Sequence, residues 1–284
     1  MKGLNILTFD IEDWYNHDDY SLDLEWDKFE VRLYEGVDLI LSALCERGIK
    51  ATFFCLGWVA EKHPTIVEKI VSFGHHLGCH SYQHQLATSF TPKQFYEDTF
   101  KAKCLLEDVG GVAVDAYRVP SFSITRDNKW ALDIIAKLGV KYDCSVFPSV
   151  HEFGGMPNFP SVPTVIQTEF GQLKEFPINL GALLGRDIVY TGGGYFRVMP
   201  YSILKKMVEN TDYVMSYFHP SDFDPDQPHM HHLPLMRQFK NRIALRGAYA
   251  KFKRFIDDFE FVDLHRADEL YCWNNCQIID IKTI

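Results

Sequence analysis

Short apolar runs that stop on a polar or charged residue, separated by amphipathic stretches, constrain this chain more than any other feature. Residues 4–9 read LNILTF and stop at Asp10. A run that is apolar on both faces suits a strand buried on both sides, as in a parallel sheet. Residues 34–48 then set Val37, Ile40, Leu41 and Leu44 at helical spacing, with Gly48 as a stop. ATFFCLG at 51–57 predicts a second strand. HPTIVEKIVSFG at 63–74 predicts a helix, with Pro64 early and Gly74 at the end, where each is favoured. HHLGCH at 75–80 reads as a short strand. Helix signals follow at 92–109 and 127–138, with short strands at 112–117 and 140–144. Strand–helix alternation of this kind argues for an α/β layer or barrel.

The middle of the chain, 145–200, breaks the rhythm. It is rich in Pro and Gly and has little helical period, with short strands expected at 164–168 and 173–176. We read it as an elaborated insertion on the same domain. DYVMSYFHP at 212–220 is another buried strand. Residues 234–258 predict one basic amphipathic helix, and FEFVDLHRA a last strand and turn. With 284 residues and no linker or repeat, a single domain over 1–284 is the expectation. The net charge of −9 argues against a nucleic-acid partner. No run approaches the roughly 20 apolar residues of a membrane span, and no signal-peptide pattern fits the start. The seven cysteines are scattered and odd in number, which suits free thiols in a reducing cytoplasm.

Polar groups gather where the predicted strands end. Asp10, Glu12 and Asp13 follow the first, His80 and His84 the third, Arg118 a later one and His219 the strand MSYF. Carboxyl ends of parallel strands converge on one face. Two histidines four apart lie on one side of a helical turn. With one carboxylate they make a set for a catalytic divalent metal with open positions. Such an ion brings the pKa of a water toward about 7. The site still needs a base and an acid, which Asp10 and His219 fit by position, with Arg118 orienting Asp10.

Together, TFDIEDWY (8–15), GHHLGCHSYQH (74–84), YRVPSFS (117–123) and YFHP (217–220) resemble the motifs of the polysaccharide deacetylase superfamily, the NodB-homology domain of carbohydrate esterase family four. The branch with FDxEDW, GGGYFR and HPxxFDPDQP, found in polysaccharide and lipopolysaccharide gene clusters, is the most similar. The resemblance covers about residues 3–265. It implies a distorted (β/α)7 barrel and a metal-dependent de-N-acetylase acting on a glycan or sugar precursor, in surface polysaccharide biosynthesis. It implies one divalent ion, zinc above all, with cobalt, manganese or nickel as substitutes. It also implies Asp10 as base, His80 and His84 as metal ligands, and Asp13 as the carboxylate ligand, with Glu12 as the alternative. Arg118 would position Asp10, the Ser121 backbone N–H would help stabilise the oxyanion, and His219 would be the acid. The first motif departs from adjacent aspartates, because Ile11 and Glu12 intervene. The usual Asp-Trp of the fourth motif is absent, with Asp143 as the candidate for part of its work; the partner that tunes His219 is unassigned, with Asp222 close by in sequence.

Other residues carry weaker signals. Gly192–Gly194 with Tyr195 and Arg197 could let backbone approach a sugar, with the ring stacking and the guanidinium meeting an anion. Trp14 could wall the cleft. His229, His231 and His232 suggest an exposed turn before a second metal. The basic stretch Arg237 to Arg254 suggests a solvated face, or a lean onto a membrane or a lipid-linked sugar. Hydrolysis of a small cyclic imide or ureide, and a catalytically silent glycan binder, are the competing readings. The substrate could be nucleotide-linked, lipid-linked or polymeric, and the oligomeric state is unspecified.

Overall fold

A computed structural model describes residues 3–16, 25–150, 152–183, 185–229, 233 and 235–284. In chain order the elements are β1 (Leu4–Ile11), α1 (Leu33–Cys45), β2 (Thr52–Cys55), α2 (Gly57–Lys62), α3 (Pro64–Ser72), β3 (His76–Cys79), α4 (Pro92–Gly110), β4 (Ala116–Tyr117), α5 (Trp130–Lys137) and β5 (Tyr142–Asp143). They continue with β6 (Thr164–Thr168), β7 (Gly171–Glu175), β8 (Gly181–Leu183), β9 (Arg186–Ile188), α6 (Gly193–Val198), α7 (Tyr201–Glu209), β10 (Tyr213–Phe218), α8 (Leu235–Arg242), α9 (Leu245–Asp258), α10 (Leu264–Leu270) and β11 (Ile278–Asp280).

The main sheet runs in the order β10-β1-β2-β3-β4-β5-β7-β6-β11. From β10 to β7 every neighbouring pair is parallel. β6 is antiparallel to β7, and β11 is parallel to β6. The result is an α/β fold on a mixed sheet. Strands from both halves of the sequence share it. Among the described residues no backbone ladder joins β7 to β10. Side chains cross that seam instead. Met215 N donates to Asn179 Oδ1 at 2.7 Å, and Tyr213 Oη donates to the Pro177 carbonyl at 2.7 Å.

Strand periodicity divides the core in two. Leu7, Phe9 and Ile11 belong to the larger cluster beneath the helices, with Phe252 and Phe255 of α9. Ile6 belongs to the second cluster, with Phe54, Ala116, Tyr142, Phe176 and Met215. Side chains alternate across a strand, so Thr8 and Asp10 share the face of Ile6. Register then sets the height of each polar group. Phe9 pairs with Phe218, so Asp10 and His219 leave adjacent strands together. Cys79 pairs with Cys55 and with Tyr117, which puts His80 and Arg118 side by side.

Helix ends follow their local chemistry. Thr91 and Gln94 form a capping box ahead of Pro92, and Gly111 closes α4 at φ 63°. Three expectations need correction. The single helix over 234–258 is two, broken at Ala244, which sits at φ 58°. α9 buries Leu245, Ala248, Phe252, Phe255 and Ile256, whereas on α8 Leu235, Met236 and Phe239 stay exposed. FEFVDLHRA contributes only a bridge between Val262 and Ile6 before Asp263 caps α10. The Pro/Gly-rich stretch contains α6, which starts right at the GGG run.

Candidate active site

β1 ends on the chemistry. Asp10 Oδ1 accepts from Arg118 Nη1 at 2.7 Å, and the same nitrogen donates to Thr8 Oγ1 at 2.8 Å. Arg118 is fully enclosed, and its guanidinium lies 4.3 Å from the Phe54 ring centroid. A buried cation with a carboxylate partner and an aromatic face is held in one pose.

The two histidines are not on a helical turn. Residues 80–84 form a loop in which Ser81 and His84 take left-handed φ values of 67° and 54°. The loop is clamped from several sides. Gly57 N and Trp58 N at the start of α2 donate to the Ser81 and Tyr82 carbonyls at 2.9 and 3.0 Å. Tyr82 N donates to Asp98, and His84 N to Ser81 Oγ. The His80 and His84 rings end 5.1 Å apart, centroid to centroid.

Glu12, and not Asp13, completes the set. Ligand atoms of Glu12, His80 and His84 all lie within 4.8 Å of one another, and all three residues are buried. His84 Nε2 is 2.8 Å from Glu12 Oε2. Asp13 is occupied elsewhere. Its carboxylate accepts from Trp14 N, Arg32 N and Leu33 N at 2.8, 2.8 and 3.0 Å, so it caps the start of α1. Burial still raises Asp13 to about 6. The expected preference for Asp13 as ligand is therefore corrected: its lone pairs are committed to backbone donors.

The donors suit a metal. His80 Nδ1 is 2.7 Å from the Arg118 carbonyl, which can only accept, so the proton sits on Nδ1 and the Nε2 lone pair faces the site. Burial, the largest influence, holds this imidazole at about 4. Two imidazoles and one carboxylate match a borderline divalent ion such as zinc.

His219 stands opposite. Its Nε2 is 3.3 Å from Glu12 Oε1 and 3.9 Å from Asp10 Oδ2. Asp222 Oδ2 accepts from His219 N at 3.0 Å and lies 3.2 Å from Nδ1. Burial alone would lower His219, but the Asp222 hydrogen bond and the Glu12, Asp222 and Asp10 charges bring it to about 9. Asp222 in turn pairs with Arg197, Nη1 to Oδ1 at 2.6 Å. Burial would raise Asp222, yet Arg197 and His219 bring it to about 2. Arg197 therefore meets an internal anion, where a substrate anion was expected.

The remaining expectations divide. Ser121 has φ 52° and Phe122 φ 48°, two strained residues in a row just after Arg118. Tyr195 is half-exposed. Trp14 is packed edge-on to Tyr15 and Phe29 and donates Nε1–H to the Glu30 carbonyl, yet it still lines a cleft with Gly193, Arg197 and His219. Gly192 has a packing reason, since a Cβ there would come 2.4 Å from the Tyr217 carbonyl oxygen. Asp143 lies fully buried against Ser145, and burial raises both it and its neighbour Glu175, the latter further through the Asp143 charge. His231 and His232 lie outside the described residues. Two supports were missed. Arg32 forks onto Asp224, and Gly36 passes under Pro220 where a Cβ would come 2.5 Å from its carbonyl oxygen. Pro220 with Asp222 after His219 is a turn-start pattern that pointed to the Asp222 contact.

The polysaccharide deacetylase family profile matches residues 6–142. That stretch is just under half of the chain, and over it the sequence is similar to the polysaccharide deacetylases. Residues 144–269 match a second profile, a domain of unknown function, DUF3473. A peptidoglycan-N-acetylglucosamine deacetylase of Bacillus cereus is 33% identical over 128 residues, 42% of this chain and 46% of the relative. A peptidoglycan deacetylase of Helicobacter pylori is 28% identical over 111 residues, 39% and 37%. The chain thus spans less than half the length of these relatives. Among solved structures, one described as a polysaccharide deacetylase of Mycobacterium smegmatis aligns with TM-score 0.66 at 17% identity, covering 95% of this chain and 90% of its own. A family 4 carbohydrate esterase pseudoenzyme of Bacillus anthracis aligns with TM-score 0.52 at 14% identity, covering 98% and 69%. These two likenesses concern the fold. No described helix is long and apolar enough to cross a membrane.

Proposed function

We propose that this protein is a metal-dependent hydrolase that removes an N-acetyl or similar N-acyl group from a glycan or sugar precursor. The observation that carries the reading is the meeting of three units at one sheet edge. They are the Glu12–His80–His84 cluster, the Asp10–Arg118 pair and the His219–Asp222–Arg197 chain. A divalent ion held by Glu12, His80 and His84, most simply zinc, would supply Lewis-acid activation of water and of the acyl oxygen.

The chain's own residues supply the proton steps. Asp10, fixed by Arg118, takes a proton from the attacking water as oxygen bonds to the acyl carbon. His219, oriented by Asp222, gives a proton to the amine nitrogen as the C–N bond breaks. The Ser121 backbone N–H is read as a further donor to the developing oxyanion. Trp14, which lines the cleft, and the half-exposed Tyr195, next in sequence to its Gly193–Gly194 lining, are read as its sugar-facing aromatics. The seven parallel strands are read as the wall of a distorted (β/α)7 barrel, and 1–284 as one domain with its insertion at 145–200.

The named activity of the Bacillus cereus relative supports an N-acetylated amino sugar as substrate. Free, buried thiols such as Cys55, Cys79 and Cys144 support a reducing compartment, and so a cytoplasmic precursor in surface polysaccharide assembly. Acetate release from N-acetylated oligosaccharides and from nucleotide-linked N-acetyl sugars, measured on zinc- or cobalt-loaded protein, tests the reading. Asp10→Asn should keep the ion and lose turnover. Normal turnover in that variant would remove Asp10 as base, and metal uptake with no acetate from any N-acyl sugar would point to a silent glycan binder.

A further inference from the structure

We propose that the opposite end of the sheet carries a second divalent-cation site, built by His76, Asp115 and His265 for a borderline ion such as zinc or cobalt. His76 opens β3 and Asp115 directly precedes β4, so both sit at the amino-terminal edge of the strands, and His265 reaches them from α10. The four-residue strand β3 separates His76 from His80, a distance of about 13 Å at roughly 3.3 Å per residue. This cluster is therefore distinct from the catalytic one.

The geometry is convergent. His76 Nε2 and His265 Nε2 lie 2.9 and 3.1 Å from the same oxygen, Asp115 Oδ1. The ligand atoms of the three residues fall within 4.8 Å of one another. The rings stack at 3.8 Å between centroids. Thr52 Oγ1 lies 3.1 Å from His76 Nδ1 and can hold the ring's outer proton, which leaves the Nε2 lone pair for an ion. Lys141 sits on the other carboxylate oxygen, Oδ2, at 3.2 Å, so Oδ1 remains the inward ligand. The His76 side chain is 3% exposed and that of His265 is 51%, which gives the site a floor and an open mouth.

Two imidazoles and one carboxylate select zinc, cobalt or nickel over magnesium or calcium. The ion needs both Nε2 lone pairs: His76 keeps its single proton on Nδ1 against Thr52, and a protonated His265 would release its Nε2 proton to solvent on binding. The ion would pin α10 to the edge of β3 and β4 and so stabilise the fold without touching the reaction.

The full chain, free of any polyhistidine tag and stripped with chelator, is titrated with Co²⁺ and followed by absorption and elemental analysis. Wild type should take two equivalents. His80→Ala/His84→Ala should take one, and adding His265→Ala should abolish it. His265→Ala alone should take one equivalent and keep whatever acetate-releasing activity the wild type shows. Replacing that His265→Ala by His265→Cys on the His80→Ala/His84→Ala background should restore the lost equivalent with a thiolate-to-cobalt band, which a folding lesion would not produce. One equivalent in wild type overturns the site. So does second-equivalent uptake that ignores His265→Ala, which would put the ion elsewhere, as on the His229–His232 stretch.

Discussion

Adjacent acids on one strand end, Glu12 and Asp13, take unrelated jobs because of which donors reach them. Glu12 meets imidazoles, and Asp13 meets three backbone N–H groups. Glu12→Ala should therefore abolish high-affinity metal uptake. Asp13→Asn should leave the stoichiometry unchanged and cost about 1–2 kcal/mol of stability through the weakened cap. Equilibrium dialysis and urea melts on both variants check this, and loss of metal in Asp13→Asn alone would reverse the assignment. Arg197 acts through Asp222 on His219 and is a positioning residue. Arg197→Met and Asp222→Asn should each lower kcat by roughly tenfold to hundredfold, with KM and metal uptake little changed. The double variant should be no worse than the weaker single one, since both remove one coupled unit. Additive losses would show two separate roles.

At the scale of elements, the helix starts and stops that carried chemistry in the sequence were legible. Pro64 opens α3, and Gly48 and Gly74 follow α1 and α3 at left-handed φ values of 64° and 72°, each where its backbone preference puts it. The break between α8 and α9 was not legible, because Ala244 is a good helix former with no turn signature. Its left-handed backbone turns the chain into α9, whose aromatic face is docked with Phe252 4.8 Å from Phe223 and 5.2 Å from Phe218 between ring centroids. That conformation costs an alanine about 1–2 kcal/mol. Ala244→Gly should therefore raise stability by up to about 1 kcal/mol, after the extra chain entropy of glycine is charged against it. Thermal melts of the two proteins decide it, and a lower melting temperature for the glycine variant would count against strain at this joint. The loop of His80 and His84 was misjudged for a related reason. A four-residue spacing fits a helical turn, and only the tertiary clamp from α2 and Asp98 forces the left-handed residues.

Across the whole molecule, the strand–helix alternation and the four strand-end motifs were readable because they rest on local patterns of apolar and polar residues. The Arg197–Asp222 and Arg32–Asp224 links were not, since they join residues far apart in sequence and need the fold to bring them together. The global pH response follows from buried groups in the same way. His75 is buried, and burial above all, with the Lys50 charge, lowers it from 6.5 to about 4. The unfolded chain then holds more protons than the folded one between those values. Stability is full above about pH 6.5 and falls as pH descends toward 4, by up to about 3 kcal/mol from this group. Urea midpoints at pH 7 and pH 5 should separate in wild type more than in His75→Phe, and equal separations would exclude His75 as a source.

The seam between β7 and β10 has its own consequence. Met215 N is protected there by one side-chain oxygen, that of Asn179, where its neighbours have a continuous ladder. Amide hydrogen exchange at Met215 should accordingly follow Asn179 and not the melting of the sheet. Along this line the two strands should part locally, a few hydrogen bonds at a time, while the strands that lead to Asp10, His80 and Arg118 keep their ladders.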